Sequence, residues 1–333
     1  MAPLYNINDL TLTDRATPHT EVIYIVIPLF NDWEALSLLL DKIRESVEPA
    51  IRQKFHFLIV DDCSVANYKQ LPTDTGYALS ILRLWRNVGH QKAIALGLSY
   101  LAAQPELHTT IVMDSDGEDK PEDIPKLLKA LADKPGQIVF AHRAKRHESL
   151  LFRTFYLIYK NVFKLLTGKA ITFGNFSGIP SGLLRKLANV SDIWNNYPGG
   201  VIRSRLPYRS IPLERGVRLA GESKMNFVSL ILHGLSAISV LMEATAVRIF
   251  LFCIITVAIS SVVITSVVLL WFTDQWLIPG WAGYAVFSLF IVILQAFLIS
   301  LLLVFIVLTY RTQSHFIPAK QYGDFVERVE RVY

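Results

Sequence analysis

The stretch that decides the fold reads TTIVMDSDGED over residues 109–119. Its first half is a β-prone run and its second half is a turn rich in carboxyl groups, so a strand is predicted to end at the acidic cluster. Open α/β sheets bind ligands at the carboxyl ends of their strands. A hard cation that bridges a diphosphate takes one or two protein carboxylates together with phosphate and water oxygens. The stretch therefore indicates a Mg²⁺ or Mn²⁺ site in this turn.

Two other interpretations of the acidic turn stay open on these residues alone. An EF-hand loop would place its glycine later and a glutamate at its twelfth position, where this chain has Pro125. A solvated acidic turn without a ligand is the simpler alternative. Polar residues in the neighbouring loops weaken it.

The rest of the first 225 residues favours a mostly parallel α/β sheet, because short β-rich runs alternate with helical patterns. The predicted strands are Val22–Leu29, Phe55–Val60, Ala78–Leu84, Thr109–Met113 and Gln137–Ala141. The predicted helices are Trp33–Val47, His90–Ala103 and Pro121–Ala132. Residues 1–225 are therefore expected to form one catalytic-sized domain.

Polar residues also follow the other predicted strands at the same sheet edge. Asp32 follows the first strand, Asp62 the second and Asn87 the third. A carboxylate can accept a hydrogen bond from a base N–H or a ribose hydroxyl, although each residue alone could serve a turn or a helix cap. Together they favour a nucleotide site. The G-x-G-x-x-G and P-loop patterns do not occur, so a dinucleotide or ATP fold has no support.

These loops resemble glycosyltransferase family 2, in particular its dolichyl-phosphate mannose synthase and bactoprenol glucosyltransferase group. Residues 26–32, VIPLFND, are similar to the V-I-P-x-Y-N-E opening of that group, and residues 60–64, VDDCS, to V-D-D-G-S. Residues 87–93, NVGHQKA, resemble N-x-G-H-Q-x-A. Residues 114–122, DSDGEDKPE, resemble D-A-D-L-Q-x-P-P-E, with Glu118 in place of the usual glutamine. The similarity spans nearly the whole chain.

The resemblance implies a GT-A fold and assigns roles to the matching residues. The implied nucleotide-binding residues are Pro28, Asp32, Asp62, Asn87, Lys92, Asp114 and Ser115. The implied metal ligands are Asp116 and Glu118, and the implied catalytic residues are Asp114, Asp116, Arg143 and Arg218. Two basic motifs imply contacts to a lipid phosphate, which Arg can grip through two parallel hydrogen bonds. The residues expected to make them are Arg143, Arg146, Arg153, Arg218, Ser223 and Lys224. For any one of these cations, a place at the membrane surface is the alternative.

One departure from the family concerns the catalytic base. Residues 174–177 read GNFS where relatives commonly carry an acidic residue, so no carboxylate base can be assigned at Asn175. A phosphate monoester with a second pKa near 6 is already largely ionised at neutral pH. The acceptor phosphate is therefore expected to attack unaided, and catalysis to depend on alignment and on stabilisation of the departing diphosphate.

The remainder of the chain predicts a membrane anchor. Residues 247–273 and 281–310 are long apolar segments, each sufficient to cross about 30 Å of hydrocarbon as a helix. Lys and Arg flank the pair and are absent from the connection 274–280, which places both ends of the pair in the cytoplasm. Two buried core helices are the weaker alternative.

Two amphipathic segments, residues 149–166 and 226–244, are expected to lie in the membrane interface, with packing against the domain core as the alternative. Residues 311–333 are expected to form a cytosolic tail. The first 20 residues lack the apolar core of a secretory signal, and two cysteines do not suggest a disulfide framework. The net charge of +5 then favours an anionic bilayer over nucleic acid. The expected location is the inner or plasma membrane, with both termini and the catalytic domain cytoplasmic.

The predicted reaction is a single inverting displacement that moves a sugar from a nucleotide diphosphate sugar to polyprenyl phosphate, either undecaprenyl or dolichyl. The resemblance favours a UDP-sugar such as UDP-glucose, and it implies a homotetramer. One alternative is a processive polysaccharide synthase, although its Q-x-x-R-W motif does not occur. The other is a nonenzymatic membrane scaffold or a flippase subunit, for which the acidic cluster would have no use.

Overall fold

The structure is a computed structural model that describes residues 22–65, 71, 77–106, 108–143, 161–169, 173–221, 227–272, 281–312 and 316–332. Within these ranges, eight strands form one mixed sheet in the order β7-β5-β6-β4-β1-β2-β3-β8. The strands are β1 Ile23–Leu29, β2 Phe55–Asp61, β3 Ala78–Leu84, β4 Thr109–Val112, β5 Ile138–Arg143, β6 Phe173–Ile179, β7 Tyr208–Leu213 and β8 Val326–Arg331.

Helices cover both faces of this sheet and then continue into a long hairpin. The first helices are α1 Trp33–Ser46, α2 Pro49–Arg52, α3 His90–Ala102 and α4 Ile124–Asp133. Then follow α5, helical over residues 161–167, α6 Ser181–Ala188, α7 Tyr197–Ser204 and α8 Phe227–Val240. The last are α9 Met242–Phe272, α10 Trp281–Thr312 and α11 Pro318–Gln321. Helices α1 and α4 pack on one face of the sheet, and α3, α6 and α7 pack on the other.

The parallel strands β4, β1, β2 and β3 form the centre of the sheet and bring their carboxyl ends to one edge. Their side chains are buried on both faces, as shown by Ile25, Val26 and Ile27, each 0% exposed. This pattern is expected when helices cover both sides of a parallel sheet. Leu29 pairs with Asp61 in the ladder, and the turn after β4 begins at the same edge. The loops singled out from the sequence therefore converge in space.

The sheet is more mixed than the sequence suggested. The five predicted strands are confirmed to within a few residues, but β6 is antiparallel to both β4 and β5, and β8 is antiparallel to β3. The expected tail, residues 311–333, is corrected in part, because residues 326–331 complete the sheet edge as β8. The sequence there, VERVER, carries four charged residues, and charged side chains are common on edge strands.

The apolar hairpin also differs from the predicted boundaries. Helix α8 ends at Val240 and α9 begins at Met242, so Glu243 belongs to the long helix and not to the segment before it. No glycine or proline interrupts residues 242–248, and the helix therefore extends beyond the uncharged run. Among the residues that the structure describes, two helices are long and apolar enough to cross a membrane, over Met242–Leu270 and Gly283–Tyr310. Of the predicted amphipathic segment 149–166, only residues 161–166 lie within the described residues, and these are helical.

Candidate functional site

Arg218 joins two of the predicted loops at the carboxyl edge of the sheet. Its Nη1 lies 3.1 Å from Asp116 Oδ2 and its Nη2 lies 2.5 Å from Asp32 Oδ2. Its Nε donates to the carbonyl of Ala220 at 2.8 Å, which orients the guanidinium. Asp32 precedes α1, but its carboxylate pairs with Arg218 and does not cap that helix. All three charged side chains are about four-fifths buried. The sequence predicted each residue for a site, but not this bridge.

The acidic turn is shaped by its own backbone. Asp119 Oδ2 accepts from the Asp114 amide at 3.0 Å, and Asp116 Oδ1 accepts from the Glu118 amide at 3.0 Å. Burial, together with the nearby Asp114 carboxylate, raises the pKa of Asp116 to about 6, despite the opposing effect of Arg218. A carboxylate with this pKa lies in a site that would gain stability from further positive charge.

Residues 214–221, here called the Arg218 segment, are held against this turn by backbone contacts. The Gly216 amide donates to the Glu118 carbonyl at 2.7 Å, and the Leu219 amide donates to the Asp116 carbonyl at 2.9 Å. A Cβ on Gly216 would lie 2.7 Å from the Gly117 carbonyl oxygen, so glycine permits this close approach. Within the same segment, Arg215 forms an ion pair with Glu118. The segment therefore places two guanidinium groups over the acidic turn.

The donor set fits a hard divalent cation bound jointly with a ligand. Asp116 and Glu118 supply carboxylate oxygens at one turn, and carboxylate oxygens are the ligands that Mg²⁺ and Mn²⁺ prefer. Within the part of the chain that the structure describes, no group of three His, Cys, Asp or Glu side chains is arranged to hold a metal. A cation at this turn would accordingly complete its coordination with phosphate and water oxygens. Glu118 would have to exchange its ion pair with Arg215 to take part.

Asp62 shapes the loop after β3 through its buried carboxylate. Oδ1 accepts from the Val88 amide at 2.7 Å and Oδ2 accepts from the Gly89 amide at 2.8 Å. Burial raises the pKa of Asp62, although these two amide hydrogen bonds act in the opposite direction. Asn87 Nδ2 lies 3.3 Å from the Asp62 carbonyl oxygen. Asp62 is only 2% exposed, so its effect on a bound nucleotide would act largely through this loop.

The other predicted site residues occupy three kinds of position. Pro28 is buried in β1 opposite Val60, and Ser115 is 8% exposed within the acidic turn. Lys92, which the motif predicts to bind the nucleotide, has its ammonium 5.3 Å from the ring centroid of Trp194. Consecutive helical positions point about 100° apart, so Lys92 leaves the face on which His90 lies. Arg143 ends β5, and the structure describes only its backbone. The residues outside the described ranges are Arg146, Arg153, Ser223 and Lys224.

A polar chain beside the acidic turn was not predicted from the sequence. His90 Nε2 lies 3.1 Å from Asp114 Oδ1 and 3.0 Å from Asn175 Nδ2. Gln91 Nε2 donates to Asn175 Oδ1 at 3.0 Å, and Gln91 Oε1 accepts from the Tyr197 amide at 2.7 Å. Partial burial lowers the pKa of His90, but Asp114 and its acidic neighbours raise it, and the net shift is upward. The signal available in the sequence was the pair His90-Gln91, next to the Gly89 loop.

Comparison with known proteins supports the resemblance. Residues 24–189 match the family described as Glycosyl transferase family 2. The undecaprenyl-phosphate 4-deoxy-4-formamido-L-arabinose transferase of Yersinia pestis (strain Pestoides F) is 29% identical over 151 residues. The transferase of the same name from Yersinia enterocolitica serotype O:8 / biotype 1B is 28% identical over 152 residues. Each alignment covers 44% of this chain and 44% of the relative, so the chain matches less than half the length of these proteins.

Solved structures are more distant. Glucosyl-3-phosphoglycerate synthase from Mycobacterium tuberculosis, crystallised with Mn²⁺, UDP and glucosyl-3-phosphoglycerate, is 16% identical, with a TM-score of 0.48 over 68% of this chain and 80% of that chain. TarS from S. aureus is 14% identical, with a TM-score of 0.39 over 58% of this chain and 36% of that chain. The mixed α/β sheet with its acidic carboxyl edge is GT-A-like, as expected from the sequence. Through residues 24–189, the chain belongs to glycosyl transferase family 2.

Proposed function

We propose that this enzyme transfers a sugar from a nucleotide diphosphate sugar, with a UDP-sugar favoured, to a polyprenyl phosphate at a membrane surface. The observation that carries the proposal is the Arg218 bridge between Asp32 and Asp116. A guanidinium held by two carboxylates at a sheet edge could bind a phosphate instead, once Asp32 engages the nucleoside and Asp116 a metal cation. The names of the Yersinia relatives, which are undecaprenyl-phosphate transferases, support the choice of acceptor.

In this mechanism, the residues at the carboxyl edge bind the donor. Asp32 would accept from the nucleoside, and the Asp62-ordered loop with Asn87 would enclose it. Asp116 and Glu118 would hold Mg²⁺ or Mn²⁺, which would neutralise negative charge on the diphosphate when bound, and Asp114 would lie beside the donor. The partly buried position of Asp116 strengthens its interaction with any cation, because water screens the charges less there.

In this proposal, Arg218 has different binding partners in the donor-free and the donor-bound protein. With the donor absent it neutralises Asp32 and Asp116, and with the donor bound we infer that it turns toward the phosphates. Arg143, Arg146, Arg153, Ser223 and Lys224 are proposed to hold the acceptor phosphate with it. The acceptor oxygen attacks the anomeric carbon as the bond to the diphosphate breaks, which inverts the configuration. Holding both groups in line converts the encounter into an intramolecular step.

Asn175, which lies beside His90, is compatible with a mechanism that needs no carboxylate base. Asn175 is neutral, and its amide is engaged by Gln91. Since a phosphate monoester is largely ionised at neutral pH, no proton has to be removed before it attacks. Transfer to a hydroxyl group would require a base to accept its proton. The amide at position 175 cannot take up such a proton, which is compatible with a phosphate acceptor.

The hairpin gives the proposed location. Helix α9 leaves the domain, and α10 leads back to β8 in the same sheet, so both ends of the hairpin return to one domain. If the two helices span a bilayer, the catalytic domain and the tail lie on the same side, which we propose to be the cytoplasmic side of the inner or plasma membrane. Helix α8 is proposed to lie in the interface, and the assembly to be a homotetramer.

The experiment uses the full chain in nanodiscs with undecaprenyl phosphate, Mg²⁺ or Mn²⁺, and a panel of radiolabelled UDP- and GDP-sugars. We expect label from one donor to enter an acid-labile product that extracts into organic solvent. Asp116→Asn should abolish this transfer, and Glu122→Gln serves as a control, because Glu122 is 45% exposed and lies beyond the acidic turn. Label in a long polymer would support a processive synthase. No transfer from any donor would refute the proposal and leave the scaffold alternative.

A further inference from the structure

Away from the donor site, Arg203 near the end of α7 contacts several elements of the described chain. Its Nη1 lies 2.9 Å from Asp192 Oδ1, 3.0 Å from the Val240 carbonyl oxygen and 3.0 Å from the Tyr310 hydroxyl. Its Nη2 lies 3.9 Å from Glu243 Oε2. These partners belong to the catalytic domain, to the end of α8, to the start of α9 and to the end of α10.

The Val240 carbonyl marks the joint between α8 and α9. The last carbonyls of a helix have no partner within that helix, and a guanidinium that donates to one of them stabilises the helix end. The guanidinium also lies 5.5 Å from the ring centroid of Tyr310, where the cation and the ring attract each other. One side chain therefore fixes the bend between α8 and α9 together with the neighbouring end of α10.

Helix α7 connects this joint to the chain of polar groups near the acidic turn. Its first residue donates from the Tyr197 amide to Gln91, and the Tyr197 hydroxyl lies 2.7 Å from Ser177 Oγ. The helix has eight residues, so about 12 Å separates its two ends. Both ends are therefore anchored, one beside the Asp114–His90 pair and the other at the hairpin.

Close packing makes α7 a stiff connection. A Cβ on Gly200 would lie 2.6 Å from the Ile193 backbone nitrogen, and one on Gly199 would lie 3.5 Å from Val240 Cγ1. The helix consequently lies close against both the domain and α8. Val240 is 1% exposed and Tyr197 is 0% exposed. Motion at the joint between α8 and α9 would be transmitted to the hydrogen-bonded residues His90, Gln91 and Asn175, since densely packed protein interiors have low compressibility.

We propose that Arg203 is a positioning residue for the lipid acceptor: it fixes the catalytic domain on the hairpin, so that a phosphate carried by a membrane-embedded chain meets the sheet edge at the required height. This inference rests on the proposed function for its substrate. It assigns Arg203 no contact with either substrate. An acceptor that reaches the site from solution would not need this alignment, so loss of Arg203 should affect a membrane-embedded acceptor more than a soluble one.

The kinetic test compares two acceptors in nanodiscs, undecaprenyl phosphate and a short water-soluble isoprenyl phosphate. A misplacement of roughly 1 Å can slow a reaction by about 100-fold, so we expect Arg203→Gln to lower kcat/KM for the long acceptor by at least about tenfold. The values for the short acceptor and the KM for the nucleotide sugar should stay within about twofold. Tyr310→Phe removes only the hydroxyl that accepts a hydrogen bond from Arg203. It should also lower kcat/KM for the long acceptor more than for the short one, but by less than Arg203→Gln does. Equal losses with both acceptors, or no loss with either, would overturn the proposal.

A distance measurement tests the same idea without relying on activity. In a Cys253→Ala background, spin labels are attached to the exposed Cys63 and to the cysteine introduced by Tyr284→Cys, a position that is 77% exposed. We expect Arg203→Gln to broaden the distance distribution between the domain and the hairpin. Lys186→Gln is the control for charge, because Lys186 is exposed on α6. An unchanged distribution in Arg203→Gln would refute the positioning role, whereas absence of transfer in the unmodified protein would refute the proposed function instead.

Discussion

Replacing Arg218 by alanine should destabilise the ligand-free protein, and the structure sets the magnitude. The change leaves Asp116 and Asp32 without a guanidinium in a setting about four-fifths buried. Asp116 can escape the cost by taking up a proton, since its pKa is about 6. At pH 7, one unit above this pKa, protonation of Asp116 costs about 1.4 kcal/mol, so the loss of unfolding free energy at Asp116 cannot greatly exceed that amount. The Asp32 contact adds about 1 kcal/mol. The free energy of unfolding should fall by about 2–3 kcal/mol at pH 7.

Thermal unfolding of the detergent-solubilised protein measures this change. A loss of 2–3 kcal/mol corresponds to roughly 5–10 °C in Tm for a domain of this size. The loss should shrink at pH 5.5, because Asp116 is then largely protonated in both proteins. It should also shrink when Mn²⁺ and UDP are present, if the metal replaces the guanidinium as partner of Asp116. Arg218→Lys keeps one positive charge and should lose less. An alanine variant whose Tm equals that of the unmodified protein at pH 7 would refute the reasoning.

Three further predictions follow from the same site. Asp116→Asn should abolish transfer and should also raise the free energy of unfolding at pH 7.5 by about 1–2 kcal/mol. The Asp116 carboxyl, whose pKa is raised to about 6, stabilises the fold below pH 3.8 and loses that contribution as the pH rises through 6. Denaturant titrations at pH 7.5 and 4.5 should therefore show the gain only at the higher pH. Gly216→Ala should cost about 1–3 kcal/mol and reduce transfer, since its Cβ would lie 2.7 Å from the Gly117 carbonyl oxygen. The control Gly182→Ala meets nothing within 4 Å and lies in helix α6, so it should leave transfer unchanged and leave the Tm equal or slightly higher. Chelation of divalent metal should stop transfer and added Mg²⁺ or Mn²⁺ should restore it; full transfer in the chelator would contradict the metal assignment.

The central strands could be predicted because their sequences carry a strong local signal. The run Ile23–Leu29 reads IYIVIPL and has β-branched residues at four of its seven positions, and continuous apolar runs of this kind fit burial on both sheet faces. Strand β6 lacks that signal, because its residues Phe173–Ile179 read FGNFSGI, with two glycines and two polar residues. It is recognisable only from its pairing with β4 and β5. The antiparallel part of the sheet was missed for this reason.

The side-chain partners in the candidate site likewise could not be predicted from local sequence. Local sequence placed Asp32 and Asp116 at strand ends, but their shared partner is 186 residues from one and 102 residues from the other. Which cation bridges them depends on how residues 214–221 fold back across the sheet. The nucleotide contact of Lys92 stays a prediction from its motif position, and the structure adds a neighbour that the motif did not indicate, because the Lys92 ammonium lies 5.3 Å from the Trp194 ring centroid.

Strand β8 has a consequence for the order in which the protein can be made. It follows α9 and α10 in the chain, yet it pairs with β3, which is synthesised long before them. Until β8 arrives, β3 exposes unpaired backbone groups of the kind that recruit other chains. Arg83 also lacks Glu330, its partner at 3.0 Å, while its Nη1 lies 3.1 Å from Asp61 beside the donor loops. The sheet is thus completed only after both long helices have been synthesised, which makes its closure a late step in the folding of the chain.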